Sequence, residues 1–194
     1  MKRIAVFCGS SPGASDSYIE GAEQLGKEMV KRGITLVYGG ASVGIMGALA
    51  DTILKEGGHV IGVMPDFLEK REIAHKHLTE LIVVGSMHER KTKMSDLADG
   101  FITLPGGPGT MEEYLETFTW AQLGLHQKPC GLLNINRYFD PLLDFMKHMS
   151  NEQFLNEKYL SIALSDPDPA RLLNQLYFYE PPKVKTYITS KNET

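Results

Sequence analysis

Cysteine is scarce in this chain, which has only Cys8 and Cys130 among its 194 residues. Both lie in short apolar runs that predict buried strands, so we expect no disulfide framework. Long apolar runs are also absent, since none approaches the roughly 18 residues of a membrane-spanning helix. The apolar run near the start is too short for the core of a signal peptide. These absences predict a cytoplasmic protein with no membrane partner.

An excess of basic residues is lacking as well. Lysine and arginine number 20 against 24 aspartate and glutamate residues, which gives a formal net charge of −4. A general nucleic-acid-binding protein would show a basic excess or a basic stripe, so we expect no nucleic-acid partner. This charge balance still permits a local site for one small phosphate ester.

Two nucleotide-binding motifs are incomplete. Gly39 and Gly44 have the spacing of a P-loop, but Ile45 stands where its lysine must be, and the loop at Gly106 lacks that lysine too. The first predicted strand is followed by "CGSSPG", which does not match the G-x-G-x-x-G fingerprint of dinucleotide binding. The sequence therefore favours neither a Walker-type nucleoside triphosphatase nor an NAD-binding protein.

Short apolar runs alternate with longer amphipathic stretches along the chain. Runs such as "RIAVFC" and "GFIT" predict strands, and stretches such as 16–31 and 110–123 predict helices. This alternation is typical of a parallel sheet that is covered on both faces. We therefore predict an α/β, Rossmann-like, doubly wound and mainly parallel sheet with helices on both faces, in a single domain over residues 1–180. Residues 181–194 are predicted to form a polar tail.

Three glycine-containing turns follow predicted strands: "CGSS", "YGGASVGIMG" and "LPGGPGT". In doubly wound folds, ligands bind at the carboxyl ends of the strands, near the switch in strand order. Glycine lets a backbone approach a ligand closely, although tight turns alone would also explain these residues. Two such loops leading from strands into helices favour a ligand, and we assign Gly9, Ser10, Gly40 and Gly106 to its binding.

The segment "LPGGPGTMEE" (Leu104–Glu113) combines a glycine loop with two carboxylates. A helix is predicted to begin at Thr110, so its first N–H groups and the Thr110 hydroxyl could hold an anion. Glu112 and Glu113 point about 100° apart around that helix, so one can stabilise the helix start while the other faces the cleft. An anion site beside a carboxylate suits a ribose 5-phosphate unit, whose glycosidic bond breaks through an oxocarbenium-like state.

Basic residues open another predicted helix, in the segment "GSMHERKTKM". Arg90 and Lys91 stand where acidic residues are normally favoured. A solvated charge run would explain them. A guanidinium that pairs with a phosphate or a carboxylate would give Arg90 a role in the site.

Four motifs then occur in order: "GGxxxGxMG" (Gly39–Gly47), "MHERK" (Met87–Lys91), "PGGxGTxEE" (Pro105–Glu113) and "TWAQLGxHxKP" (Thr119–Pro129). Together they resemble the Lonely Guy (LOG) family of cytokinin riboside 5′-monophosphate phosphoribohydrolases, which older naming calls "lysine decarboxylase-like". The resemblance extends over about residues 3–180. It implies hydrolysis of the N-glycosidic bond of AMP, or of an N6-modified AMP, to a free base and ribose 5-phosphate. It also implies a homodimer, and we expect neither a cofactor nor a metal.

The resemblance implies roles for individual residues. The catalytic arginine and glutamate of the family match Arg90 and Glu113. Pro108 departs from the pattern, since many members have tyrosine there, and this can alter the fit of the base or the phosphate. The substrate-binding positions of the family match Glu72, Arg90, Lys91, Gly107, Pro108, Gly109, Thr110, Met111, Glu112, Glu113 and Thr119.

Other functions compete with this interpretation. A broader nucleoside monophosphate glycosylase in nucleotide salvage would match the same residues. A non-catalytic nucleotide or cofactor carrier would use the phosphate loop but would have no use for Arg90 together with Glu113. A lysine decarboxylase would bind pyridoxal phosphate through a lysine, and no lysine stands in a glycine-loop motif. His75 and His77 form only an H-x-H pair, which we interpret as a solvated loop rather than a metal site.

Overall fold

The structure, a computed structural model, describes residues 1–69 and 74–184. Its strands are β1 (Arg3–Phe7), β2 (Thr35–Tyr38), β3 (Val60–Pro65), β4 (Glu80–Val84), β5 (Gly100–Thr103), β6 (Cys130–Leu133) and β7 (Ala163–Asp166). They form one seven-stranded sheet in the order β4-β3-β2-β1-β5-β6-β7. Each pairing between these strands is parallel. The order switches between β1 and β5, which is where such folds bind ligands.

Helices connect the strands. They are α1 (Ser17–Lys31), α2 (Gly44–Lys55), α3 (Asp66–Glu69), α4 (Met87–Leu97), α5 (Pro108–Leu123), α6 (Asp140–Asn151) and α7 (Pro169–Tyr177). Short 3-10 segments occupy Ile135–Arg137 and Glu157–Ile162. Across the part of the chain that the structure describes, no helix has both the length and the apolar character needed to cross a membrane.

Two apolar layers cover the sheet, one on each face. Ile4 and Val6 of β1 pack with α1, α2 and α7, whereas Ala5 and Phe7 pack with α4, α5 and α6. Successive side chains of a strand point to opposite faces, so these central strands are buried on both sides and read as continuous apolar runs. The predicted α/β, doubly wound architecture is confirmed. The four-residue α3 and the 3-10 segments were not predicted, because such short segments show no helical periodicity.

The chain after α7 lacks regular secondary structure as far as it is described. Residues 178–184 form neither helix nor strand, and residues 185–194 lie outside the described part of the chain. The predicted boundary between a domain over residues 1–180 and a polar tail stays a prediction.

The two loops at the switch point lie side by side. Phe7 pairs with Thr103 at the end of the β1–β5 ladder. Beyond it, the Gly9 N–H donates to the Pro105 carbonyl oxygen at 3.1 Å. The start of α2 joins them, because a Cβ on Gly44 would lie only 2.4 Å from the backbone of Ser10. The carboxyl edge of the sheet therefore brings three glycine-containing turns together.

The histidine pair differs from its prediction. His75 is buried, and its Nε2 lies 2.9 Å from Asp51 Oδ1. Its Nδ1 accepts a hydrogen bond from the His77 N–H at 3.2 Å. The prediction of a solvated loop is therefore wrong for His75, whose ring has partners at both nitrogens. Among residues 1–69 and 74–184, no three potential metal ligands form a cluster.

Replacing Gly44 with alanine should destabilise the protein more than replacing Gly57. Both glycines have positive φ, 57° and 77°, so an alanine at either position costs about 1–2 kcal/mol in backbone conformation. Only Gly44 faces other atoms, since a Cβ on Gly57 would meet nothing within 4 Å. Overpacking against the Ser10 backbone should lower the free energy of unfolding by about 1–3 kcal/mol more in Gly44→Ala. Urea unfolding of both variants measures the difference, and equal losses would contradict this packing.

Candidate active site

A cavity of about 330 Å³ lies at the switch point, and we call it the site cavity. The loop after β1, the starts of α4 and α5, and the turn before α2 form its walls. It is lined by Val6, Phe7, Cys8, Gly9, Ser10, Gly39, Met46, Met87, Arg90, Lys91, Met94, Gly107, Pro108, Gly109, Thr110, Glu112 and Glu113. It therefore brings together both predicted catalytic residues and most of the predicted binding residues.

The α5 helix begins two residues earlier than predicted. Gly107 precedes it with an extended backbone, and Pro108 takes the first turn, where its fixed φ fits and its missing N–H is not needed. Thr110 therefore lies inside the first turn and is buried. The first N–H groups of a helix have no partner within the helix, so this start can bind an anion.

Gly107 and Gly109 are not required by the fold. A Cβ at either position would meet nothing within 4 Å, and neither residue has a positive φ. Gly106 differs, because its Cβ would lie 2.2 Å from Thr110 Oγ1 and 2.8 Å from the Gly9 nitrogen. A tight turn alone therefore explains Gly106 but does not explain the two glycines that border the site cavity. Close approach of a ligand to this backbone would explain both.

The two adjacent carboxylates have different environments. The Glu113 side chain is 13% exposed, whereas that of Glu112 is 69% exposed. Burial raises the pKa of Glu113, and the nearby positive charge of Arg90 opposes that rise only in part. The Arg90 Nη2 and Glu113 Oε1 atoms are 4.0 Å apart, at the outer limit of an ion pair. Glu113 is therefore a buried carboxylate with an incomplete partner, as is common for an acid–base residue.

Arg90 reaches the site cavity from the first turn of α4. Ser86 caps that helix by accepting a hydrogen bond from the Glu89 N–H at 3.1 Å. The guanidinium lies against Gly39, where a Cβ would come within 1.9 Å of Nη2. Its buried Nε has no hydrogen-bond partner among the described residues. Arg90 thus has donor capacity left for a ligand, and Gly39 provides the space for it.

Lys91 is held by two carboxylates of α5. Its Nζ lies 2.7 Å from Glu112 Oε1 and 3.3 Å from Glu116 Oε2. Burial alone would lower the pKa of Lys91, but the hydrogen bonds and charges of Glu112 and Glu116 outweigh it and raise the pKa. The same contact lowers the pKa of Glu112. Lys91 is therefore a charged link between α4 and α5, and a poor candidate for the neutral amine that a Schiff base needs.

Sequence reasoning missed several residues that line the site cavity. The motif spacing predicts a turn at Gly39, whereas in the structure the missing side chain of Gly39 leaves space for the Arg90 guanidinium. Burial raises the pKa of the Cys8 thiol, and the Glu113 charge adds to that rise, so Cys8 is not an activated nucleophile. The apolar walls include Met46, Met87 and Met94. Nothing in the spacing of these methionines marks them as site residues.

Other predicted binding residues lie outside the site cavity. Gly106 borders an adjoining cavity, and Gly40 has a φ of 78° and accepts a hydrogen bond from the His75 N–H. Met111 packs beside the apolar layer. Thr119 is exposed, further along α5. Glu72 lies outside the described residues.

This chain is similar in sequence to proteins of a known family. Residues 46–176 match the protein family described as "Possible lysine decarboxylase". The cytokinin riboside 5′-monophosphate phosphoribohydrolase LOG7 of Arabidopsis thaliana is 50% identical over 181 residues, which cover 93% of this chain and 83% of that protein. The cytokinin riboside 5′-monophosphate phosphoribohydrolase LOG of Oryza sativa subsp. japonica is 48% identical over 181 residues, which cover 93% of this chain and 75% of that protein.

Solved structures share the fold at lower identity. The molybdenum cofactor carrier protein of Chlamydomonas reinhardtii has a TM-score of 0.67 and 21% identity, and covers 92% of this chain and 99% of its own. The molybdenum cofactor binding protein of Rippkaea orientalis has a TM-score of 0.67 and 23% identity, with coverage of 91% and 96%. At this level of identity the likeness supports the fold alone.

Replacing Arg90 with methionine should raise the pKa of Glu113, because the positive charge that opposes its rise is removed. Replacing Glu112 with glutamine should lower it, because a neighbouring negative charge disappears. The pKa can be measured in each variant from the pH titration of 13C-carboxyl NMR signals, with Glu113→Gln to assign the resonance. An unchanged Glu113 pKa in Arg90→Met would contradict the electrostatic coupling of this pair.

Proposed function

The chain belongs to the Lonely Guy family of cytokinin riboside 5′-monophosphate phosphoribohydrolases, and from this membership we propose that it hydrolyses the N-glycosidic bond of N6-modified adenosine 5′-monophosphates or of AMP. The products are a free adenine-type base, an active cytokinin where the substrate is a cytokinin nucleotide, and ribose 5-phosphate. The observation that carries the proposal is the buried Glu113 carboxylate beside Arg90, at the start of α5.

The 5′-phosphate binds at the start of α5. The N–H groups of Gly107 and Gly109 and the hydroxyl of Thr110 are the candidate donors, and the helix dipole favours an anion there. The open space around both glycines supports this placement, because phosphate oxygens can approach the bare backbone. Pro108 has no N–H to donate and shapes the entry to this turn instead.

Glu113 acts on the ribose. As the bond from C1′ to the base nitrogen breaks, positive charge develops on the sugar, and the carboxylate stabilises that charge or orients the attacking water. The water supplies a hydroxyl to C1′ and a proton to the departing base. Arg90 orients Glu113 or donates to the base as it leaves, and its Nε–H has no hydrogen-bond partner among the described residues. No cofactor or metal ion is part of this proposal.

The remaining predicted contacts belong to the same proposal. Glu72 and Thr119 are candidate substrate contacts, and Lys91 holds Glu112 at the cavity rim.

We also propose a cytoplasmic homodimer. Val83, Met87 and Leu115 are large apolar residues that remain exposed in the single chain, and a second copy could cover them. The mass of the protein in solution, measured by light scattering, checks that state.

Two other functions are distinguished by chemistry. A broader nucleoside monophosphate glycosylase would use the same residues and would differ only in its choice of base. A carrier would need the phosphate loop but gains nothing from a buried carboxylate whose partner lies 4.0 Å away. A pyridoxal-phosphate-dependent decarboxylase is disfavoured, because Lys91, the only lysine among the described residues that line the site cavity, is paired with Glu112 and Glu116.

Product analysis by chromatography tests the proposal. The protein is incubated separately with AMP, isopentenyladenosine monophosphate, GMP, and lysine plus pyridoxal phosphate. We expect free base and ribose 5-phosphate from the adenylates, and the ratio of rates separates a cytokinin nucleotide specificity from a general one. Bound AMP without any released base would support a carrier instead. Decarboxylation of lysine would overturn the proposal.

Replacing Glu113 with glutamine should lower kcat by at least about 100-fold, because the carboxylate acts on charge that develops in the transition state. The fold and the affinity for AMP should be largely kept, which calorimetry can measure. Glu116→Gln is the matched control: it removes another partly buried carboxylate of α5 that does not line the site cavity. A fully active Glu113→Gln would show that the assigned role is wrong.

A further inference from the structure

Tyr138 makes a contact that the proposed mechanism does not use. Its hydroxyl donates a hydrogen bond to the carbonyl oxygen of Gly106 at 2.6 Å, across 32 positions of sequence. Both residues line a second cavity, of about 380 Å³. That cavity shares Gly9, Ser10 and Gly107 with the site cavity. The peptide group between Gly106 and Gly107 therefore stands between the two cavities.

The contact is made to one side of this peptide group, through its carbonyl oxygen. In a planar trans peptide, the Gly106 carbonyl and the Gly107 N–H point in opposite directions. Glycine on both sides leaves the plane free of side chains that would restrict its rotation. Besides the close packing of Gly106 against Gly9 and Thr110, the hydrogen bond from Tyr138 is a contact from outside the loop that favours one orientation of this peptide group. Because the carbonyl is directed toward Tyr138, the Gly107 N–H of the same planar group points away from Tyr138, and Gly107 also borders the site cavity.

The segment that delivers Tyr138 has an unusual backbone. Asn136 and Arg137 have φ of 52° and 59°, in the left-handed region that side chains other than glycine rarely adopt. Side-chain contacts hold them there: the Asn136 amide donates to Ser17 Oγ, and the Arg137 Nε donates to Asp140 Oδ2. Such conformations persist where the surrounding structure enforces them and cluster near functional sites.

Packing of the Tyr138 ring does not account for its position. The residue is 41% exposed, in contrast to the buried Phe139 that follows it. Its ring makes edge contacts with Tyr18 and Phe139, at centroid distances of 6.0 and 5.1 Å. A phenylalanine would keep these contacts. A phenylalanine would lose the hydrogen bond that the hydroxyl donates to Gly106.

We propose that Tyr138 is a positioning residue for phosphate binding. Its hydroxyl fixes the Gly106–Gly107 peptide group and so presents the Gly107 N–H to the 5′-phosphate. Tyr138 does not touch the substrate in this arrangement and acts only through the loop. The identity of the ligand rests on the proposed function, whereas the contact between Tyr138 and Gly106 does not depend on it.

Tyr138→Phe tests the proposal, because it removes only the hydrogen bond. We expect the affinity for AMP to fall by about three- to tenfold, the effect of losing one neutral hydrogen bond. The KM for AMP should rise in parallel with little change in kcat. The affinity for adenosine, which lacks the phosphate, should stay the same. Equal losses for AMP and adenosine, or no loss for either, would overturn the proposal.

Tyr18→Phe is the matched control. It removes a hydroxyl from the neighbouring ring of the same cavity. Among the described residues, that hydroxyl has no hydrogen bond. Its AMP affinity should equal that of the wild type, and urea unfolding should show that both variants fold. A wild type that hydrolyses no nucleoside monophosphate and does not bind AMP would overturn the proposed function and this inference together. An active wild type with an unchanged Tyr138→Phe variant would overturn this inference alone.

Discussion

Phe7 and Thr103 are partners in the parallel ladder between β1 and β5, and the hydrogen bonding continues past both strands. The Leu104 N–H donates to the Phe7 carbonyl at 2.9 Å, and the Gly9 N–H donates to the Pro105 carbonyl at 3.1 Å. These bonds hold two loops so close that a side chain on Gly106 could not fit between them. The start of α5, and with it the position of Glu113, follows from this pairing.

The close packing of these loops also determines the charges that surround Glu113. Glu113 is buried where its charge is poorly compensated, and Arg90 reaches it only because Gly39 leaves space for the guanidinium. Lys91 is drawn to Glu112 and Glu116 and so adds little free positive charge to the cavity. Burying a charge with an incomplete partner lowers stability. With the catalytic role that we propose for Glu113, the site would give up stability for reactivity, as active sites commonly do.

The fold could be predicted from local pattern, because apolar strands that alternate with amphipathic helices are typical of few architectures. The divergence of Glu112 and Glu113 could also be predicted, since it follows from helical geometry alone. The roles of Gly39 and Tyr138 could not. Gly39 contacts Arg90, and Tyr138 contacts Gly106. These partners are distant in sequence, so a local sequence pattern cannot predict the contacts. The same reason explains why the burial of His75 against Asp51 was not predicted.

Because cofactor carriers share this fold, the fold cannot decide between carriage and catalysis. A carrier needs groups that stabilise its bound ligand, and the start of α5 could provide them. An enzyme also needs a group that interacts more strongly with the transition state than with the substrate. An uncharged ribose gives little electrostatic stabilisation to the buried carboxylate of Glu113. Positive charge that develops at C1′ would compensate that carboxylate at the moment of bond cleavage, so its burial makes sense for a hydrolase and not for a carrier.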